Sequence, residues 1–202
     1  VMDLNPHLTY DSASIPAAER AQSVGDPRGV AWTPDGSMVF TAALGTNALV
    51  AMSPSGARVA KIDVGEGPSG VVVHPTAGIV YSLNRFEGSV SAVSTTGLTE
   101  VRRVPLHDAT PAVVKAGRRF LFNTFITSGL GHTSCATCHV DGRSDRLVWD
   151  LGDPAGAMQL FDETCQAPNG CIQWHPMKGP MTTQVLQGIV GNGPMHWRGE
   201  KD

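Results

Sequence analysis

A segment of about 40 residues occurs twice in the first half of this 202-residue chain, and this repeat constrains the fold more than any other feature. Pro27 in the first copy matches Pro68 in the second, 41 positions further along, and Gly29 matches Gly70 at the same offset. Internal repetition at such a period is typical of architectures in which similar units stack on one another.

Each copy contains four short runs rich in β-forming residues, separated by turn clusters such as TPDG, GTN and SPSG. In the first copy these runs lie at 29–32, 38–42, 48–52 and 58–64. Four strands in a unit of about 40 residues are typical of a β-propeller blade, whose apolar face must be covered by its neighbours. An irregular β-sandwich with an accidental period is the alternative.

The second copy carries VYSLN at 80–84 and thereby resembles the YVTN-type propeller repeat family, in which a second strand ends in Asn. A third copy is expected from Pro111 as two strands in TPAVVKAGRRFLFNT. We therefore predict a mainly β domain at 1–125 with two complete blades and one partial blade. Because a propeller needs four to eight blades, the others would precede Val1 or belong to a partner chain, and we expect a fragment of a longer protein.

Residues 134–139 read SCATCH and place Cys135, Cys138 and His139 in the pattern C-x-x-C-H. A redox dithiol uses C-x-x-C without the histidine, and a zinc site uses it as half of a four-ligand set. Attachment of a c-type haem accounts for all three residues, because both thiols bond to the porphyrin and the histidine ligates the iron. The sequence predicts one covalent haem c, in a small loop-rich or helical c-type haem domain at 126–202 that is truncated at its C-terminal end.

The other axial position of a haem iron needs a ligand, or it stays open for chemistry. Histidine and methionine side chains that follow the motif are candidates for it. They are His175, Met177, Met181, Met195 and His196.

The Lys-Gly-Pro sequence at 178–180 and MHWRGE at 195–200 resemble the first haem domain of bacterial dihaem cytochrome c peroxidases, over roughly residues 118–202. That family has a histidine before Lys-Gly-Pro and an aromatic-Trp-Asp-Gly-Arg turn after it. The resemblance implies that Cys135 and Cys138 form the thioethers, that His139 is the proximal ligand and that His175 is the distal one. Met177 is the alternative distal ligand, because the gap before Lys-Gly-Pro is one residue shorter here.

Two departures from that family concern its chemistry. Arg198 stands where the turn has Asp, and the chain has no second C-x-x-C-H motif to bind the other haem. Two-electron peroxide chemistry would therefore need a second haem outside this segment.

Two further groups of residues have plainer interpretations. Cys165 and Cys171 bracket a turn with the sequence APNG, and in an oxidising compartment we expect a local disulfide. An acidic run fits no calcium-loop template and is expected to be a solvated turn face. It comprises Asp141, Asp145, Asp150 and Asp153.

A net charge of −3 gives no indication of a nucleic-acid or anionic-lipid partner, and no apolar run reaches the ~18 residues of a membrane span. Since haem is attached to C-x-x-C-H outside the cytoplasm, a periplasmic or otherwise extracytoplasmic location is expected. The expected function is electron transfer through one haem, with the propeller as a docking surface for a redox partner protein or other cytochrome subunits. The alternative is a haem peroxidase- or oxidase-like enzyme.

Overall fold

The computed structural model describes residues 2–12, 14–150, 152–153, 155–157, 159–160, 173–174 and 179–192. The chain divides into two compact units, Val1–Thr137 and Cys138–Asp202, and each has its own contacts. None of the helices in these described ranges has the length and apolar character needed to cross a membrane.

The first unit is mainly β and contains two four-stranded antiparallel sheets, each with its strands in chain order. The first sheet consists of β1 (Pro27–Trp32), β2 (Val39–Ala43), β3 (Ala48–Met52) and β4 (Arg58–Asp63). The second consists of β5 (Pro68–Val73), β6 (Ile79–Asn84), β7 (Ser89–Ser94) and β8 (Glu100–Pro105). The four strands predicted for each repeat are confirmed, and the arrangement is consistent with partial propeller blades.

Matched glycines close the first hairpin of each sheet. Gly36 and Gly78 have φ of +68° and +64°, a region of backbone conformation that side chains with a Cβ rarely adopt. In the first sheet the Gly36 amide donates a hydrogen bond to the Thr33 carbonyl at 2.9 Å, which closes the TPDG turn. The turn residues of the repeat therefore fix the strand ends, as the sequence indicated.

The two sheets pack face to face along their first strands, with β1 and β2 against β5. Phe40 from the first sheet and Val80 and Val93 from the second are fully buried in this interface. Gly29 allows the close approach of β1 and β5, since a Cβ at that position would lie 3.3 Å from Cγ1 of Val71. Burial of this apolar surface is the main force that holds the two sheets together.

A buried polar cluster lies at the end of β6, where the repeat has its terminal Asn. Asn84 is fully buried, and its side-chain amide donates to the hydroxyls of Ser89 at 2.9 Å and Ser91 at 2.7 Å. The Ser82 hydroxyl donates to Asn84 Oδ1 at 3.3 Å. Because each of these groups has a partner, the cluster can be buried without the penalty of an unsatisfied polar atom.

Leu4 and Val24 pack against the other face of the first sheet, and the short helix α1 (Ala17–Arg20) lies between them in the chain. Val24 and Leu4 pack in the cluster that contains Val50. The Asn5 side chain joins the chain near Leu4 to the chain at Val24. It donates to the Val24 carbonyl at 2.9 Å and accepts from the Val24 amide at 2.7 Å.

The prediction of a partial third blade from Pro111 is wrong, because this part of the chain is helical. It forms α2 (Ala112–Phe122) and α3 (Thr124–Thr127). No turn cluster divides the run AVVKAGRRFLF, and its Ala, Lys, Arg and Leu residues are strong helix formers. Asn123 separates the two helices, and its side chain caps α3 by accepting from the amides of Phe125 and Ile126.

The second unit is rich in loops, and its regular structure in the described ranges is β rather than α. Here β9 (Val148–Asp150) pairs with β12 (Pro180–Thr182), and β10 (Gln159–Leu160) pairs with β11 (Gln173–Trp174). A 3-10 turn, Val140–Gly142, precedes them. Beyond Cys138 the described residues contain no α-helix.

Candidate functional site

The C-x-x-C part of the motif forms the one-turn helix α4 (Cys135–Cys138). A helical turn places residues three apart on one face, which is the arrangement that two thioether bonds to one porphyrin edge require. Cys135 is exposed and Cys138 is half-buried. The Ser134 amide donates to the Thr137 hydroxyl at 2.9 Å, and the Thr137 amide donates to the Ser134 carbonyl at 3.0 Å. Two hydrogen bonds between the same two residues therefore hold the start of this turn.

His139 is oriented by a backbone carbonyl from a distant part of the second unit. Its Nδ1 lies 2.7 Å from the carbonyl oxygen of Gln184. Because a carbonyl can only accept, Nδ1 carries the proton in this bond, and Nε2 is left with the lone pair that a metal ligand needs. A histidine that ligates a metal through one ring nitrogen usually donates a hydrogen bond from the other, as His139 does here.

Strand pairing places the Gln184 carbonyl beside the motif. Met181 in β12 is opposite Trp149 in β9, and further along the same segment the Leu186 amide donates to the Gly142 carbonyl at 2.9 Å. Residues 180–186 therefore run beside the chain that follows His139. Sequence reasoning missed Gln184, because every residue has a carbonyl and only the pairing selects this one.

The segment before the motif is fixed to the first sheet. Thr124 in α3 is fully buried, and its hydroxyl donates to the Gly45 carbonyl at 3.1 Å, at the corner between β2 and β3. Ser23 is also fully buried, and its hydroxyl donates to the Leu130 carbonyl at 2.6 Å. The chain that enters α4 is thereby anchored at two points in the first unit.

The acidic run forms local turns, as expected. Asp145, Asp150 and Asp153 each accept a hydrogen bond from the backbone amide two residues further along, at 3.0, 3.0 and 2.8 Å. In the part of the chain that the structure describes, no three or more His, Cys, Asp or Glu side chains are grouped so that they could hold a metal ion.

Most of the candidate distal ligands lie outside the described residues. These are His175, Met177, Met195 and His196, and the same holds for Cys165 and Cys171. Met181 is described and lies half-buried in β12. Just before it, the Gly179 amide donates to the Gly152 carbonyl at 3.0 Å, which extends the pairing of the two strands.

No protein-family model matches this chain, and no curated protein matches it. Solved structures match about two fifths of it. Hydrazine synthase of Kuenenia stuttgartiensis matches at 21% identity and a TM-score of 0.41, over 42% of this chain and 24% of that one. Dihydro-heme d1 dehydrogenase NirN in complex with DHE matches at 22% identity and a TM-score of 0.36, over 43% of this chain and 18% of that one.

The WD40 repeats of RRP9 match at 16% identity and a TM-score of 0.37, over 40% of this chain and 26% of that one. The chain therefore spans about a quarter or less of the length of these structures.

Proposed function

We propose that this chain is part of an extracytoplasmic c-type cytochrome that transfers electrons through one haem, bound covalently by Cys135 and Cys138 and ligated by His139. The observation that carries the proposal is the His139–Gln184 hydrogen bond of 2.7 Å. It gives the histidine of a C-x-x-C-H motif the tautomer and the second partner that an iron ligand requires.

The residues present fit such a group in three respects. Both cysteines lie on a single helical turn, and Cys135 is exposed. His139, which follows Cys138, has its Nε2 lone pair available. Bound there, a haem would supply a one-electron Fe(III)/Fe(II) couple, whose potential depends on the axial ligands and on burial. The protein contributes the orientation of the His139 ring, which the Gln184 carbonyl holds through Nδ1.

For the distal position we favour His175 over Met177. Pro176 and Pro180 restrict the chain around both candidates, which lowers the entropy lost when a ligand is held in place. Imidazole binds both oxidation states of iron, and the peroxidase-like position before Lys-Gly-Pro adds weight to the histidine.

An open apolar face on the second sheet supports a further part of the proposal, which concerns partners. Val72, Leu83 and Val104 on this face are 59%, 44% and 43% exposed. Ala42 and Ile62, which match Leu83 and Val104 in the first sheet, are 0% and 5% exposed because the second sheet covers them. A further four-stranded sheet of the same repeat, from other blades or from a partner subunit, would cover this face in the same way.

An optical redox titration of the purified chain tests the function. A single haem with electron-transfer function should give one reversible transition that fits a one-electron couple. A preparation without a visible chromophore, or one in which tightly bound zinc replaces iron, would contradict the proposal. Rapid turnover of peroxide would instead favour the enzyme alternative.

A further inference from the structure

A small pocket lies in the first unit, where the end of α2 meets the loops that join β2 to β3, β4 to β5 and β6 to β7. Phe86 and Phe122 form an apolar wall of this pocket, with 4.6 Å between their ring centroids. Its cavity volume is about 20 Å³, which is room for one small polar group. Any larger ligand would therefore place one group in the pocket and the rest of its structure outside.

Two asparagines line the pocket, and the side-chain oxygen of each is already occupied. Asn47 Oδ1 accepts the Gly67 amide at 2.9 Å. Asn123 Oδ1 accepts the amides of Phe125 and Ile126 at 3.0 and 3.2 Å. Each Nδ2 remains as a donor, and neither makes a hydrogen bond within the described part of the chain. The pocket thus contains two side-chain donors whose amides are fixed from the oxygen end.

The charged groups of the pocket favour an anion. Arg118 and Arg119 line it, against a single carboxylate, that of Glu66. Hydrogen bonds to the Phe86 carbonyl at 2.9 Å and the Thr110 hydroxyl at 3.1 Å hold the Arg118 guanidinium in place. The exposed Arg119 guanidinium makes no ion pair or hydrogen bond to any described residue. Donors therefore outnumber acceptors, which suits a ligand group that only accepts hydrogen bonds.

We propose that this pocket binds a carboxylate that is attached to an apolar body. The carboxylate oxygens would accept hydrogen bonds from Nδ2 of Asn47, Nδ2 of Asn123 and the Arg119 guanidinium, while the apolar body packs on the wall of phenylalanine rings. The carboxylate belongs either to a free small acid or to an acidic side chain of a partner protein, since both offer the same group. The inference is independent of the haem, because every residue that it uses lies in the first unit.

The test is a titration of the full chain with phenylacetate, followed by the NMR signals of the asparagine side-chain amides. A small acid of this kind should bind with a Kd on the order of 1 mM. The alcohol 2-phenylethanol has the same ring without the charge, and should give no saturable change at the same concentrations. N-acetyl-glutamyl-phenylalanine amide, whose one carboxylate is a side chain, is the second probe. Tighter binding of this peptide would support a partner protein as the source of the carboxylate, and tighter binding of phenylacetate would support a free acid.

Four variants assign the binding to individual groups. Arg119→Gln removes the unpaired cation and should weaken phenylacetate binding about three- to tenfold. Asn123→Asp keeps an oxygen that caps α3 but replaces the donor with a carboxylate oxygen, so it should weaken binding at least as much. Glu66→Gln removes the opposing charge and should tighten binding about twofold. Arg102→Gln, at an exposed position outside the pocket, is the matched control and should leave binding unchanged.

Three outcomes would overturn the inference. The first is the absence of a saturable change in the asparagine signals with either carboxylate probe. The second is equal binding of 2-phenylethanol, because recognition would then not depend on the carboxylate. The third is equal weakening in Arg102→Gln and Arg119→Gln, which would mean that the anion responds only to general positive charge. Asp caps a helix as well as Asn does, so the free energy of unfolding of Asn123→Asp should match the wild type and shows that lost binding is not lost folding.

Discussion

Nδ1 of His139 lies 2.7 Å from the carbonyl oxygen of Gln184, a residue 45 positions further along the chain. A contact over that separation forms only when the segment at 180–186 pairs with the chain after the motif. The bond determines which ring nitrogen is protonated, and so which one can bind a metal. It links the fold of the second unit to the proposed chemistry of the motif.

The distal ligand gives the first prediction. In the haem-loaded chain, His175→Ala should convert a low-spin ferric spectrum to a high-spin one, since the iron loses its second strong-field ligand. Met177→Ala should leave the spectrum unchanged. The measurement is the ferric absorption and EPR spectrum at neutral pH. A methionine–iron charge-transfer band in the wild type that disappears in Met177→Ala would reverse the assignment.

Matched glycines in the two repeats give the second prediction. A Cβ on Gly29 would lie 3.3 Å from Val71 Cγ1, whereas the nearest atom to a Cβ on Gly70 is Leu83 Cβ at 3.7 Å. Gly29→Val should therefore lower the free energy of unfolding by about 1–3 kcal/mol through overpacking, and Gly70→Val by much less. Urea denaturation measures both. Equal losses in the two variants would contradict the packing of β1 against β5.

The anchor before the motif gives the third prediction. Thr124→Val keeps the shape of the buried side chain but leaves the Gly45 carbonyl without its donor. The free energy of unfolding should fall by about 1–3 kcal/mol, the penalty for a buried polar group without a partner. Thr76→Val, at an exposed position, is the control and should change it by less than about 0.5 kcal/mol. If Thr124→Val behaved like the control, the anchor would not be needed for stability.

A half-buried histidine gives the fourth prediction, which concerns pH. Partial burial lowers the pKa of His132 below the ordinary histidine value of about 6.5, and the ring packs edge-on against Tyr10 with 5.4 Å between ring centroids. The unfolded chain therefore binds the proton more readily, so the free energy of unfolding falls as pH decreases below about 6.5. His132→Phe keeps an aromatic ring but cannot titrate, and should reduce this dependence. His107→Gln, at an exposed position, should leave it as in the wild type, and an unchanged pH profile in His132→Phe would disprove the role of burial.

The strands of both sheets could be predicted from the sequence because turn residues mark their ends. Gly36 and Gly78 are needed at positive φ, and they recur in the repeat. The helix α2 could not be predicted from the same pattern. Val113 and Val114 favour a strand, but no turn cluster divides the run between Pro111 and Asn123, and helix formers dominate it.

The pattern C-x-x-C-H indicates the candidate residues from the sequence alone, and their role in binding haem stays a prediction. The group that orients the motif's histidine could not be predicted. Gln184 contributes a carbonyl that any residue has, so nothing in the sequence distinguishes it. Its position beside His139 depends on the register of β9 against β12, which is set by tertiary structure rather than by local preference.

The most direct test is the intact mass of the chain combined with its pyridine haemochrome spectrum, after export to the periplasm of a host that attaches c-type haem. We predict one haem per chain that stays on the polypeptide through acid–acetone extraction. The double variant Cys135→Ser, Cys138→Ser should lose it. A haem that is extracted freely from the wild type, or a protein that carries zinc and no haem, would contradict the assignment of Cys135, Cys138 and His139.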